Sequence, residues 1–132
     1  ARQQNCPDFD RWRYGLSGAP RYVTGTAAAL EARYIVRRVS YLMGTADINP
    51  KEEDLDRSCG GEAQGPYRFA RAKSYIAYIG RRHPQTNQDY AFVRGVPHDN
   101  RRIFTSPCGL AVLFGGSRSS CAATGPIPPG RH

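Results

Sequence analysis

The sequence predicts an α/β protein in which parallel strands are flanked by helices and the sheet is incomplete. Two short apolar runs, residues 39–43 and 89–93, have the pattern of buried strands, and segments with helical character alternate with them. Strands that alternate with helices form parallel sheets with helices on their faces. Because two strands alone keep open hydrogen-bonding edges, we expect this segment to complete a larger sheet.

The chain is expected to be one partial domain with three regions, since 132 residues suit a single domain. Residues 1–23 contain several Pro and Gly and are predicted to be irregular. Residues 24–114 hold the α/β core. Residues 115–132 are rich in Gly, Pro and Ser, which predicts a loosely held tail.

The α/β region is predicted to begin with a helix that is followed by a strand. Thr24 or Thr26 caps a helix over residues 27–34, which are strong helix formers. The strand at 39–43 follows. Residues 48–65 then form a long polar loop, and loops of this length in a compact domain are usually functional.

Two further helices flank the second strand. A helix over residues 67–80 ends at Gly80, and a last helix over residues 107–114 is capped by Thr105 or Ser106. The resulting order is helix, strand, loop, helix, strand, helix.

The charge balance bears on possible partners. The formal net charge is +8, and nearly all cations are arginines. A basic protein is a candidate for nucleic acid or another anionic polymer. The arginines are scattered, however, and no zinc-finger, RNP-like or Gly-x-x-Gly signature occurs, so surface charges that keep the protein in solution are favoured over nucleic-acid binding. No apolar stretch reaches the length of a membrane span, and no cofactor is expected.

The four cysteines predict two disulfides and an oxidising compartment. Their wide spacing, without a Cys-x-x-Cys pair, disfavours a zinc site. Of three possible pairings we favour Cys108–Cys121, which closes a short loop, and Cys6–Cys59, which ties the N-terminal segment to a long loop. Four reduced thiols in a cytosolic protein are the alternative. The polar start without Met suggests a processed polypeptide.

Asp47 and His98 are the candidate site residues because each follows a predicted strand. Gly44 and Gly95 let the backbone turn sharply out of the sheet before them. A surface histidine is the alternative for His98. A turn-forming aspartate is the alternative for Asp47, because Asp-x-Asn-Pro is a common loop opening. The rival carboxylates are Asp54, Asp56 and Asp99.

Several short segments, in order, resemble the C-terminal half of secreted-type α/β-hydrolases with serine esterase or depolymerase-like chemistry. The resemblance extends from about residue 6 to residue 114. The segments are Asn5-Cys6-Pro7, Trp12-Arg13-Tyr14-Gly15-Leu16, Arg37-Arg38-Val39-Ser40-Tyr41-Leu42-Met43-Gly44-Thr45-Ala46-Asp47, Leu55-Asp56-Arg57-Ser58-Cys59, Ala63-Gln64-Gly65-Pro66-Tyr67-Arg68, Val93-Arg94-Gly95-Val96-Pro97-His98-Asp99 and Phe104-Thr105-Ser106-Pro107-Cys108-Gly109.

The resemblance implies that Asp47 is the acid and His98 the base of a catalytic triad, in the chain order of that fold. It also implies a Cys6–Cys59 pair that braces the loop before a helix, and a secreted protein that acts on an ester. The chain departs from the pattern at Pro97, where the family usually has Gly, so the histidine loop is expected to be slightly redirected.

The nucleophile elbow Gly-x-Ser-x-Gly and the oxyanion hole are expected on a missing N-terminal part. Ser17 lacks the elbow spacing, and Ser106 follows His98, which reverses the expected order and favours a helix cap. The expected partner is therefore the N-terminal half of the same hydrolase, or a second copy paired through sheet edges. The alternatives are a non-catalytic structural or interaction protein and a basic binding module for anionic polymers. Whether the chain is an enzyme by itself stays open.

Overall fold

The computed structural model describes residues 6–130, so Asn5 and the ends of the predicted N-terminal segment and tail lie outside it. The described residues form five helices and three strands. In chain order these are α1 (Ala27–Ile35), β1 (Ser40–Gly44), α2 (Cys59–Gln64), α3 (Arg68–Arg82), β2 (Asp89–Val93), α4 (Asn100–Thr105), α5 (Pro107–Phe114) and β3 (Ala123–Pro126).

The three strands form one sheet in the order β1-β2-β3. Strands β1 and β2 are parallel, with Ser40 opposite Asp89 and Gly44 opposite Val93. The α/β class is therefore confirmed. The predicted parallel pairing of these two strands is confirmed, whereas β3, which was not predicted, runs antiparallel along the other edge of β2.

Helices cover both faces of the sheet. Ala91 and Val93 pack with Val96, Ile103 and the cysteines of the C-terminal disulfide, and Leu42 and Val112 pack against them. The alternate strand residues Tyr41, Tyr90 and Phe92 contact a second cluster, which consists of Ile76, Ile79 and Ile127. Because neighbouring strand residues point to opposite faces, α4 and α5 cover one face and α3 covers the other.

The predicted helices at 27–34 and 107–114 are confirmed, and so are two of the proposed caps. Thr26 Oγ1 accepts a hydrogen bond from Ala29 N at 3.2 Å. Ser106 Oγ accepts one from Gly109 N at 2.9 Å. Each hydroxyl thereby satisfies a backbone N–H that has no partner inside its helix.

The predicted end of the second helix at Gly80 was wrong, since α3 continues to Arg82. A Cβ at Gly80 would lie 2.0 Å from the carbonyl oxygen of Pro128. This glycine permits a close approach of the C-terminal segment to the helix, and it does not terminate the helix.

The C-terminal tail is not loosely held over its described part, contrary to the sequence expectation. Its strand β3 pairs with β2, and Ile127 is only 3% exposed. Ile127 N donates to Gln88 O at 3.0 Å, and Gly130 N donates to Gly80 O at 3.1 Å. The Gly- and Pro-rich composition concealed a short edge strand, a position at which a sheet tolerates proline.

Two short helices were not predicted. Helix α2 occupies the end of the expected loop 48–65, and Ser58 caps it by accepting a hydrogen bond from Gly61 N at 3.3 Å. Helix α4 begins after Asp99, whose Oδ1 accepts a hydrogen bond from Arg102 N at 2.9 Å. Both helices depend on a side-chain cap.

The structure contains the two favoured disulfides, Cys6–Cys59 and Cys108–Cys121. The first joins the N-terminal segment to the start of α2, and the second joins α5 to the turn before β3. Within residues 6–130, no helix is long and apolar enough to cross a membrane.

Candidate functional site

The two predicted site residues meet at one edge of the sheet. Nδ1 of His98 lies 2.9 Å from Oδ2 of Asp47, although the residues are 51 positions apart in the sequence. Because β1 and β2 are parallel neighbours, their carboxyl ends lie at the same edge, and both residues follow these ends. We call residues 45–58 the Asp47 loop and residues 94–99 the His98 loop.

The two side chains differ strongly in their exposure. The Asp47 side chain is 2% exposed, whereas that of His98 is 44% exposed. A buried carboxylate needs a hydrogen-bond partner, and His98 supplies one through Nδ1. No residue between 6 and 130 makes a hydrogen bond to Nε2 of His98. The outer nitrogen of the imidazole is thus available to a proton donor from outside the described residues.

Three hydrogen bonds connect the start of the Asp47 loop to the His98 loop and the end of β2. Thr45 N donates to Val93 O at 2.9 Å, and Ala46 N donates to Val96 O at 3.0 Å. The third runs in the opposite direction, from Gly95 N to Thr45 Oγ1, at 2.8 Å. These contacts fix the spacing of the two loops and therefore of the side chains that they carry.

Gly44 and Gly95 serve the two loops in different ways. Gly95 has a φ of +68°, a value that suits glycine and lets the chain leave β2 sharply. A Cβ at Gly44 would lie 2.1 Å from the carbonyl oxygen of Val96. Gly44 therefore allows the His98 loop to cross closely over the end of β1.

Helix α3 holds the Asp47 loop from the other side. Phe69 N, in the first turn of α3, donates to the carbonyl oxygen of Asp47 at 3.0 Å. Arg71 donates from Nη2 to Asp56 O at 2.7 Å, and Arg68 forms an ion pair with Glu52. Sequence reasoning missed these contacts, because nothing in the local pattern around Arg68 or Arg71 distinguishes them from other basic residues on a helix face.

The rival carboxylates have other environments. Asp56 accepts hydrogen bonds from Tyr14 OH, from Arg13 Nη2 at 2.9 Å and from Ser58 N at 2.8 Å. The Tyr14 bond is the main cause of the lowered pKa of Asp56. Asp99 caps α4, and Asp54 is exposed. Asp47 is therefore the carboxylate that the structure brings to His98.

A second histidine–carboxylate pair shows a contrasting arrangement. His83 Nε2 lies 2.7 Å from Glu31 Oε1, but Arg82 also binds this carboxylate, with Nη2 at 2.9 Å from Oε2. The Arg82 hydrogen bond is the main reason that the pKa of Glu31 falls to about 2. Glu31 thus belongs to a surface ion-pair network, while in the described part of the chain His98 alone makes a hydrogen bond to the Asp47 carboxylate.

Neither serine considered as a nucleophile bonds to His98. Ser106 Oγ donates to Ile103 O at 2.7 Å and caps α5. Ser17 forms an isolated β-bridge with Arg11, and its backbone carbonyl accepts a hydrogen bond from Trp12 N at 2.7 Å. No group of His, Cys, Asp and Glu side chains between residues 6 and 130 could hold a metal ion. The arrangement is an oriented imidazole and carboxylate.

Comparison with known proteins adds no identification. No protein-family model matches the chain, and neither the curated proteins nor the solved structures include a significant match.

Proposed function

We propose that this chain is the C-terminal portion of a serine hydrolase that cleaves carboxylic esters. In this proposal Asp47 is the acid and His98 the general base, and the serine and the oxyanion hole lie on an N-terminal part outside this sequence. The proposal rests chiefly on one observation: a buried carboxylate lies 2.9 Å from Nδ1 of a half-exposed imidazole, where two parallel strands end.

The geometry suits a catalytic base. When Nδ1 carries the proton and donates it to Asp47, the lone pair of His98 resides on Nε2. Nε2 then takes the proton of the serine hydroxyl as its oxygen attacks the ester carbonyl, and later gives it to the leaving alcohol. The ionised Asp47 stabilises the imidazolium that forms between these two steps.

The sheet indicates where the missing part would join. Strand β3 covers one edge of β2, and among residues 6–130 no strand pairs with the outer edge of β1. A strand added there in parallel would end at the same edge as β1, beside Asp47 and His98. The N-terminal half of the same hydrolase is therefore the proposed partner, with a second copy as the alternative.

Exposed apolar side chains on α4 and α5 also support a partner. Phe104, Leu110 and Leu113 are 47%, 44% and 51% exposed, and Phe114 is 82% exposed. A group of exposed apolar residues of this kind is typical of an interaction surface. The two disulfides support a secreted or otherwise extracytoplasmic location.

A fluorophosphonate probe, which reacts with activated serines, tests the proposal on the native polypeptide. We expect labelling at a serine outside these 132 residues, located by mass spectrometry of the digested protein. His98→Ala should abolish the labelling because the serine then loses its base. The matched control is His83→Ala, which removes the histidine bonded to Glu31 and should leave the labelling unchanged.

Two results would contradict the proposal. Labelling that survives His98→Ala would remove His98 from the reaction. A native protein that is not labelled, does not hydrolyse simple esters and has no companion polypeptide would favour the non-catalytic structural alternative.

A further inference from the structure

The structure assigns Thr45 as a positioning residue for the Asp47–His98 pair. Its hydroxyl oxygen accepts a hydrogen bond from Gly95 N at 2.8 Å. A role of Thr45 in catalysis rests on the proposed function, whereas the hydrogen bond itself is independent of that function. Thr45 would act through the two loops, without touching the substrate.

Among residues 6–130, the Thr45 side chain makes a kind of contact between the two loops that is found otherwise only in the Asp47–His98 pair. Within residues 6–130, the other hydrogen bonds between residues 45–47 and 94–98 are a backbone bond from Ala46 to Val96 and the pair itself. Thr45 is thus the one side chain, besides Asp47 and His98, that joins the loops by a hydrogen bond. It also contributes a backbone bond to Val93 O, so the same residue contacts the end of β2 and the turn after it.

The point of attachment is the turn that sets the direction of the His98 loop. Gly95 has a φ of +68° and open space around its Cβ position, so packing does not hold this residue. Without the Thr45 oxygen, its exposed N–H would bond to water, and the turn would lose a direct constraint. The expected consequence is a looser His98 loop in a protein that stays folded.

The imidazole is sensitive to such loosening because little else holds it. Within residues 6–130, Asp47 supplies the one hydrogen bond to the His98 side chain, 2.9 Å from Nδ1, and 44% of this side chain is exposed. The preceding Pro97 has no N–H to donate, so it cannot anchor the loop through its own amide. The next anchor is Asp99, which caps α4.

The test compares Thr45→Val, which keeps the shape but removes the acceptor, with Thr45→Ser, which keeps the hydroxyl. Thr105→Val is the matched control, since the Thr105 hydroxyl donates to Arg101 O within a helix, away from the two loops. The readout is the proton resonance of the His98 Nδ1–H at low temperature. We expect exchange of this proton with water up to about tenfold faster in Thr45→Val, as the loss of one hydrogen bond implies, and unchanged in Thr45→Ser and Thr105→Val.

Equal exchange in Thr45→Val and the native protein would overturn the assignment. Thr45→Ala is the second acceptor-free variant. If Thr45→Val does not fold, the exchange in Thr45→Ala decides in the same way. If both variants unfold while Thr45→Ser folds, Thr45 has a structural role and the positioning assignment is wrong.

A kinetic measurement separates this inference from the proposed function. In an active native protein, Thr45→Val should lower kcat about tenfold with KM unchanged, because substrate contacts are intact while the base is less well held. If exchange of the His98 Nδ1–H proton is faster in Thr45→Val but the native protein has no esterase activity, the positioning role stands and the proposed function fails. If the native protein is active and neither measurement responds to Thr45→Val, the positioning role fails.

Discussion

The carboxylate of Asp47 is buried, while the imidazole that it contacts at 2.9 Å, that of His98, has 44% of its side chain exposed. A pair used only for stability gains little from a histidine that faces solvent. A base must reach a proton donor, however, and its supporting carboxylate works best where water is excluded. This difference in exposure is the reason to test the two residues separately.

Replacing Asp47 by Asn should abolish most of the proposed activity while the protein stays folded. The amide has nearly the same shape as the carboxylate, but it neither favours the Nδ1–H tautomer nor stabilises the imidazolium. Ester hydrolysis by the native polypeptide should fall on the order of 10⁴-fold. The matched control is Glu31→Gln, the same chemical change in the His83 pair, which should leave the rate unchanged. Full activity in Asp47→Asn would show that the reaction does not need the Asp47 carboxylate.

Gly44, before the Asp47 loop, and Gly95, within the His98 loop, should differ in their tolerance of a methyl group. In Gly44→Ala the new Cβ would lie 2.1 Å from Val96 O and 3.0 Å from Pro97 O, and neither backbone atom can rotate away. We expect a loss of about 3 kcal/mol in the free energy of unfolding, measured with urea.

Gly95→Ala is the comparison, because nothing lies within 4 Å of its Cβ position and only its φ of +68° is unfavourable. It should cost about 1–2 kcal/mol. If Gly95→Ala were the more damaging change, steric crowding at Gly44 would not be what fixes the crossing of the loops.

The sequence could predict the Asp47–His98 pair because short-range signals define both strands and their glycine ends, and because the resemblance singles out these two residues among the candidates. Two apolar runs joined through a helix imply parallel neighbours, and parallel neighbours end at one edge. The contacts that fix the pair, such as Gly95 to Thr45, connect residues 50 positions apart and leave no local pattern.

The errors have a similar origin. Gly80 was expected to end a helix because glycine commonly does so, whereas here it allows the tail to approach closely. Strand β3 has the sequence Ala-Thr-Gly-Pro, which carries no strand signal of its own. It forms because Ile127, just after it, is buried against Ile76 and Ile79. Tertiary packing decided both outcomes.

The tail should therefore contribute measurably to stability. Ile127→Ala removes a side chain that is 3% exposed, and it should lower the free energy of unfolding by about 2–4 kcal/mol. Val36→Ala is the control, since it removes apolar carbons from a residue that is 76% exposed, and its effect should stay within about 0.5 kcal/mol. Similar losses in the two variants would mean that the tail is not part of the core in solution.

The Glu31 network should make stability depend on pH in acid. Arg82, whose side chain is 52% exposed, and His83 both bind the Glu31 carboxylate. The hydrogen bond from Arg82 is the largest cause of the lowered pKa of Glu31, about 2 in the folded protein, against about 4.3 in an unfolded chain. The folded state therefore binds this proton less readily than the unfolded state does.

Because the folded pKa is the lower one, the stabilisation by Glu31 is complete above pH ~4.3 and is lost as the pH falls through about 2. Glu31→Gln should lower the free energy of unfolding at pH 7 by about 0.5–1 kcal/mol, a size typical of exposed ion pairs. The difference from the native protein should shrink between pH ~4.3 and ~2 in urea titrations. The exposed Glu53, as Glu53→Gln, is the control and should show no such convergence. A difference for Glu31→Gln that stays constant across this range would show that the carboxylate is not held ionised by Arg82.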